Sequence, residues 1–281
     1  MEQIILDWII NYKCNYRCPY CWFHNQWELL ERFDNYPKIE DIIKFCKNIY
    51  LKYGSSKVCF SGGEPFLFPE FSELILEIIK YHRIEIMSNL SIEVDDLIKK
   101  VNSADLEIVP SFHPLFADLY LFKKNALKLK EKGWIRKISY LAWPPQIPQI
   151  TYYRDEFTKL GFDFFARPFF GIYNGKKYPY SYTEEEKKSI SNSVINSYFE
   201  KPPIIDPIIT KNKLCYAGNK YILIQPDGKI YRCGSQNTLQ PQRLILGDIL
   251  NENFELFDKP QPCESEECIC NEWSFLLVNP I

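Results

Sequence analysis

Residues 3–21, QIILDWIINYKCNYRCPYC, run an apolar stretch directly into three cysteines, Cys14, Cys18 and Cys21. The apolar part, residues 3–10, has the length and β-branched content of a strand. From there a rhythm extends along the chain. Residues 38–53 carry apolar side chains at helical spacing and stop at Gly54; SKVCFS (56–61) reads as the next strand. A helix at 69–82 follows, with Pro69 at its start, then strand 83–89, helix 91–102, strand 105–112, helix 117–134, strand 135–143, helix 150–161 and strand 162–170. Six strands alternating with helices predict an α/β fold with a parallel sheet in a barrel-like domain. In such barrels the active site lies at the C-terminal ends of the strands, which is where the cysteines fall.

Composition bounds the function. The chain has 281 residues with 46% hydrophobic and 16% aromatic side chains, enough for a substantial core. A formal charge of −2 argues against a general nucleic-acid binder, and no apolar run approaches the roughly 18 residues of a membrane span. The opening MEQIILDWII lacks a basic region of the signal-peptide kind, so a cytoplasmic location is expected. Ten cysteines in that setting point to metal or redox chemistry rather than disulfides. Three lie at 14–21 and five at 215–270 (Cys215, Cys233, Cys263, Cys268 and Cys270), which reads as two sites. Cys46 and Cys59, among apolar neighbours, are expected to be core thiols.

The rhythm breaks after about Gly171. Residues 173–182 read as a polar connector, 183–199 as a helix capped by Thr183, and 201–210 as a proline-rich non-helical segment. KYILIQPDGKIYRC (220–233) reads as a hairpin around Pro226-Asp227-Gly228. The expected division is a barrel over 1–182, a bridge over 183–214 and a small cysteine-rich unit over 215–281.

Three thiols with spacers of three and two residues fit several chemistries. Zinc needs a fourth ligand, for which His24 is available, whereas an iron–sulfur cluster on three thiolates leaves one iron open. CNYRCPYC followed by Trp22 resembles the CxxxCxxC signature of the radical S-adenosylmethionine (SAM) superfamily. A second element of that family, Gly62-Gly63-Glu64-Pro65, follows the second strand. The resemblance implies a partial (β/α)6 barrel, in keeping with the six strands, and a [4Fe–4S] cluster on Cys14, Cys18 and Cys21, whose open iron chelates SAM. Reductive cleavage then yields methionine and a 5′-deoxyadenosyl radical that abstracts a hydrogen atom from substrate.

It also implies SAM contacts. Gly62, Gly63, Glu64 and Pro65 are expected near the SAM amino group, with the glycines allowing close backbone approach and the carboxylate accepting from an ammonium. Ser88 and Asn89 end the third strand where relatives often carry a TNG-like turn, and Ser111 ends the fourth. His113 and Arg167, at the ends of the fourth and sixth strands, are candidates for substrate contact. The second cysteine group resembles the SPASM region in its shortened Twitch form. By that resemblance Cys215, Cys233, Cys263 and one of Cys268 or Cys270 hold an auxiliary [4Fe–4S] cluster, with a four-thiolate zinc site as the alternative.

No leader-recognition segment precedes the first strand, which favours a small-molecule substrate, such as a carbohydrate or a nucleotide-linked metabolite. A peptide-modifying maturase, a radical epimerase and a non-catalytic zinc protein are the other readings. A reductant of the flavodoxin or ferredoxin kind is the expected partner, with neither nucleic acid nor membrane involved.

Overall fold

The computed structural model describes residues 3–23, 26–32, 35–193, 209–234, 245–266, 268 and 276–278. In chain order the elements are β1 (Ile5–Asn11), α1 (Trp27–Arg32), α2 (Ile39–Tyr53), β2 (Lys57–Gly62), α3 (Phe71–Ile78), β3 (Arg83–Ser88), α4 (Asp95–Lys100) and β4 (Leu106–Phe112). Then come α5 (Leu119–Glu131), β5 (Lys137–Ala142), α6 (Ile150–Thr158), β6 (Asp163–Pro168), β7 (Gly171–Tyr173), β8 (Lys176–Tyr178) and α7 (Glu184–Ser191). The described C-terminal part holds β9 (Leu214–Cys215), β10 (Tyr221–Ile224), β11 (Lys229–Tyr231), β12 (Ile245–Asp248) and β13 (Gln261–Pro262). All six barrel strands fall where the apolar runs place them, and Thr183 closes a capping box with Glu186 at the start of α7.

Strands β1 to β6 pair in sequence order, all parallel. Alternation sorts their side chains. Leu6, Trp8 and Ile10 of β1, Val58 and Phe60 of β2, Ile84 and Ile86 of β3, and Ile138 and Tyr140 of β5 are buried in one core. With them pack Phe45 and Ile49 of α2, Leu74 and Ile78 of α3, Phe122 and Leu129 of α5, and Phe157 of α6. The other face carries Asp7, Lys57, Glu85, Glu107, Lys137 and Asp163, together with Ser61, Ser111 and Ser139. This inner wall is mixed, with Ile5, Ile9, Met87 and Leu141 among its polar side chains, and its charges pair across strands: Lys57 Nζ lies 2.8 Å from Glu85 and Lys137 Nζ 3.9 Å from Glu107. Cys46 is a core thiol as expected; Cys59 is buried too, but on the inner wall beside Glu85 and Lys57.

The QPDG hairpin differs from expectation. It does not stand apart: β10 pairs in parallel with β1, Ile5 opposite Tyr221 and Trp8 opposite Ile224, and β11 and β12 follow antiparallel. The sheet thus has nine strands in the order β12-β11-β10-β1-β2-β3-β4-β5-β6, while Cys215 lies in β9, which pairs with β13 in a separate two-stranded sheet. The connector at 171–178 is itself a hairpin, β7 with β8, turned by Asn174 and Gly175 at φ 48° and 72°. Two successive positive φ values suit the mirror-image turn that Asn-Gly favours. Among the described residues no helix is long and apolar enough to cross a membrane.

Candidate active site

The cysteine loop leaves β1 at Asn11 and is rooted against the end of β2. Gly63 N–H donates to Asn11 O (2.9 Å) and Glu64 N–H to Lys13 O (2.7 Å). A Cβ on Gly63 would sit 2.0 Å from Lys13 O, and one on Gly62, at φ 135°, 2.3 Å from Asn11 O. On the Cβ side of these glycines the close neighbour is the root of the cysteine loop. Gly63→Ala is expected to push that root away and to destabilise the chain by about 3 kcal/mol, since backbone cannot yield as a side-chain tip does. Urea unfolding checks it; a variant as stable as the parent would contradict the close approach.

Glu64 is buried, and its carboxylate accepts from Ser88 Oγ (2.8 Å), Asn89 N (2.8 Å) and Phe66 N (3.2 Å). It ties the end of β2 to the end of β3 and caps the 3-10 turn that starts at buried Pro65. Ser88, its proton given to Glu64, accepts from Leu90 N. Asn89 donates to Asn15 Oδ1 (3.1 Å) in the cysteine loop, and its amide nitrogen lies 3.9 Å from Cys14 Sγ. Leu90 is left-handed at φ 50° and is held there by Asn125 Nδ2 on its carbonyl.

Burial pushes the Glu64 carboxyl up to about 7, against the three donors that pull it down. The folded chain then retains, between about pH 4.5 and 7, a proton that the unfolded chain has lost. The stability from this group is full below pH 4.5 and declines as pH rises to 7, by about 3 kcal/mol in all. Glu64→Gln is expected to remove that part of the slope in urea unfolding of the metal-free protein between pH 5 and pH 8. Equal slopes in both proteins would rule this out.

The three cysteines are a sulfur-only donor set. Tyr16 N–H donates to Cys14 Sγ and Phe23 N–H to Cys21 Sγ, each at 3.4 Å. Burial pushes the Cys18 thiol up to about 12 and the Cys21 thiol up to about 11, and raises Cys14, with the neighbouring cysteines adding to each shift at Cys18 and Cys21. Three thiolates so placed repel one another, so a compensating cation must accompany their ionisation. Soft sulfur ligands that take backbone N–H donors suit an iron–sulfur cluster. Among the described residues no three His, Cys, Asp or Glu side chains close on a single ion. A cluster asks something else of its cysteines, one for each of three irons. His24, the fourth ligand considered for zinc, lies outside the described residues.

Ser111 is half-buried on the inner wall, in register with Ser139. Arg167 projects from β6, exposed, its guanidinium 5.9 Å from the Phe165 ring. His113 does not project freely: Tyr20 stacks on its ring and the Tyr20 hydroxyl is 3.1 Å from Nδ1. The inner-wall charges were missed in the sequence, although single charged residues set into apolar strands (Asp7 in ILDWI, Glu85 in RIEIM) were a visible signal. Burial lifts the Asp7 carboxyl to about 6, against the Tyr221 hydroxyl that donates to it at 2.7 Å.

Cys215 belongs to a second packed group with Tyr221, Leu223, Tyr231, Leu276 and Leu277, and Cys233, Cys263 and Cys268 each pack against that group; among the described residues no three of these thiols close on a single ion. Ile5 and Ile9, which flank Asp7 on the inner wall, pack against the same group. Ala217 N–H donates to Cys215 Sγ at 3.5 Å, and β13 pairs with β9 so that Gln261 lies opposite Cys215. Cys270 lies outside the described residues.

A loop of three thiols over the C-terminal mouth of a parallel barrel has recognisable kin. Residues 8–111 match the Radical SAM superfamily. GTP 3′,8-cyclase of Clostridium botulinum is 30% identical over 99 residues, which cover 34% of this chain and 30% of that protein. The enzyme of the same name from Microcystis aeruginosa is 33% identical over 66 residues, 24% of this chain and 20% of that one. The matches therefore span less than a third of these curated relatives. Among solved structures, anSMEcpe with bound AdoMet and Kp18Cys peptide superposes with a TM-score of 0.63 at 17% identity, over 90% of this chain and 80% of that one. Streptococcus suis SuiB gives 0.58 at 15%, over 85% and 62%. At such identities the likeness is one of fold, the partial barrel. The matched superfamily implies a [4Fe–4S] cluster and SAM.

Proposed function

We propose that the chain is a radical SAM enzyme acting on a polar small molecule, of the carbohydrate or nucleotide-linked kind. The observation that carries this is the sulfur-only loop, rooted by Gly62 and Gly63 at the barrel mouth above an inner wall set with charged and hydroxyl side chains. Cys14, Cys18 and Cys21 would hold the cluster, which when bound supplies the electron that splits SAM into methionine and a 5′-deoxyadenosyl radical. Glu64, Ser88 and Asn89 position the loop. Ser111, Ser139 and Arg167 line the inner wall, where substrate hydroxyls or an anionic group find donors. Curated relatives named for GTP support the nucleotide side of this reading. The reductant is an external one-electron donor of the flavodoxin or ferredoxin kind.

Cys215, Cys233, Cys263 and Cys268 would hold an auxiliary [4Fe–4S] cluster, as in a Twitch-like unit, and favour an oxidative outcome. That Cys233, Cys263 and Cys268 all pack against the one buried group that contains Cys215 supports this. Iron and sulfide analysis after anaerobic reconstitution, with 5′-deoxyadenosine formation under reductant, tests the whole. Zinc at both sites with no iron would refute it. A second reading, a peptide substrate, is favoured by the fold shared with peptide-bound anSMEcpe over 90% of the chain. Peptides that raise 5′-deoxyadenosine output where sugars and nucleotides do not would select it.

A further inference from the structure

The cysteines of the second group are carried by two different sheets. Cys215 ends β9, Cys263 directly follows β13, and those strands pair with Gln261 opposite Cys215. Backbone bonds extend that pairing: Cys263 N–H donates to Lys213 O at 2.8 Å, and Asn212 N–H donates to Cys263 O at 2.8 Å. Cys233 instead lies two residues beyond β11, an inner member of the nine-stranded sheet. Its place relative to the other two needs a link between the sheets. Arg232 makes one. Its side chain is buried; Nε donates to Ala217 O at 3.0 Å and Nη2 to Gln261 O at 2.9 Å. Ala217 stands two residues after Cys215, and Gln261 two before Cys263. The arginine stem passes beside Gly218, where φ is 84° and a Cβ would stand 3.4 Å from Arg232 Cγ and 2.5 Å from the Phe257 ring.

We propose that Arg232 is a positioning residue of the second cysteine group: its guanidinium spans the backbone beside Cys215 and Cys263 and thereby sets Cys233 against both. The inference rests on the reading that Cys215, Cys233, Cys263 and Cys268 hold an auxiliary cluster. A guanidinium presents its donors in one rigid plane, so two of them fix the spacing and angle of two carbonyls. Burying a full positive charge is costly, and an apolar side chain would fill the same space without that cost. The nearest carboxylate does little to offset it, since Glu264 is 61% exposed and lies 3.9 Å from Nη1. Packing alone therefore does not account for an arginine here, whereas a planar two-carbonyl clamp does. A metal centre needs such a clamp, because its ligands must be held to within a few tenths of an ångström. Partners one layer out from the ligands supply that hold.

The test uses two full-length backgrounds, each keeping one centre. In Cys14→Ala/Cys18→Ala/Cys21→Ala any bound iron is auxiliary; in Cys263→Ala it is that of the barrel mouth. Each is reconstituted anaerobically with and without Arg232→Lys, iron and sulfide are counted, and the release of iron to a chelator is timed. Lysine keeps the charge and the stem but loses the planar fork. Expected is release about tenfold faster with Arg232→Lys in the first background and unchanged release in the second. Arg232→Gln, which removes the charge as well, is expected to release iron at least as fast. Unchanged release in the first background overturns the inference. So does equal acceleration in both, which marks a general loosening of the chain. Parental release in Arg232→Lys beside fast release in Arg232→Gln overturns it too, by assigning the effect to charge. A first background that takes up neither iron nor sulfide, while the second takes up both, instead overturns the auxiliary-cluster reading beneath it.

Discussion

Alanine at Cys14, Cys18 and Cys21 together is expected to abolish reductive SAM cleavage and to remove the iron held at the barrel mouth. The loss should be all-or-none rather than graded, because in the proposed cluster each thiolate serves a different iron. The fold should survive, for the loop is rooted independently of sulfur. Gly63 and Glu64 donate to Asn11 and Lys13, Asn89 reaches Asn15, and Tyr16 and Tyr20 lie against His113. Anaerobic reconstitution followed by iron analysis and chromatography of 5′-deoxyadenosine gives the result directly. 5′-Deoxyadenosine formed at the parental rate by the triple variant would dismiss the assignment of the site.

The barrel was legible because its signals are local. Strands such as QIILDWII and SKVCFS announce themselves by apolar run and length, and cysteine spacing survives any packing error. What stayed hidden depends on which backbone meets which. Gly62 and Gly63 could be read as permitting close approach, yet only tertiary structure shows that Asn11 and Lys13 are what approach. Glu64 was visible as a carboxylate in the right place. That its oxygens are taken by Ser88, Asn89 and Phe66 follows from the β2–β3 pairing, which no local pattern encodes. The same holds for β10, whose hairpin was evident but whose parallel pairing with β1 joins residues more than two hundred positions apart. Asn174-Gly175 is the opposite case, a local turn signal present in the sequence and passed over.

The role of Cys263 separates the two outcomes left open for the substrate radical. If Cys263 is an auxiliary ligand, the substrate radical loses an electron; if it is a free thiol, it donates a hydrogen atom and the product is an epimer. Ligation is the role proposed for Cys263. Cys263 N–H donates to Lys213 O and its carbonyl accepts from Asn212 N–H, which fixes it beside β9, where Cys215 lies. Like Cys233 and Cys268, it packs against the buried group that contains Cys215. Its sulfur is 3.4 Å from Thr210 Oγ1, a hydroxyl able to donate to a thiolate once metal has displaced the proton. Cys263→Ala is therefore expected to lose the auxiliary iron while keeping that of Cys14, Cys18 and Cys21, and to form 5′-deoxyadenosine without oxidised product. In deuterated buffer the wild-type product should carry no solvent deuterium at carbon. Deuterium in the product, lost in Cys263→Ala with iron content unchanged, would reverse the choice: the thiol would then be the hydrogen donor, and Cys215, Cys233, Cys268 and Cys270 the ligands that remain.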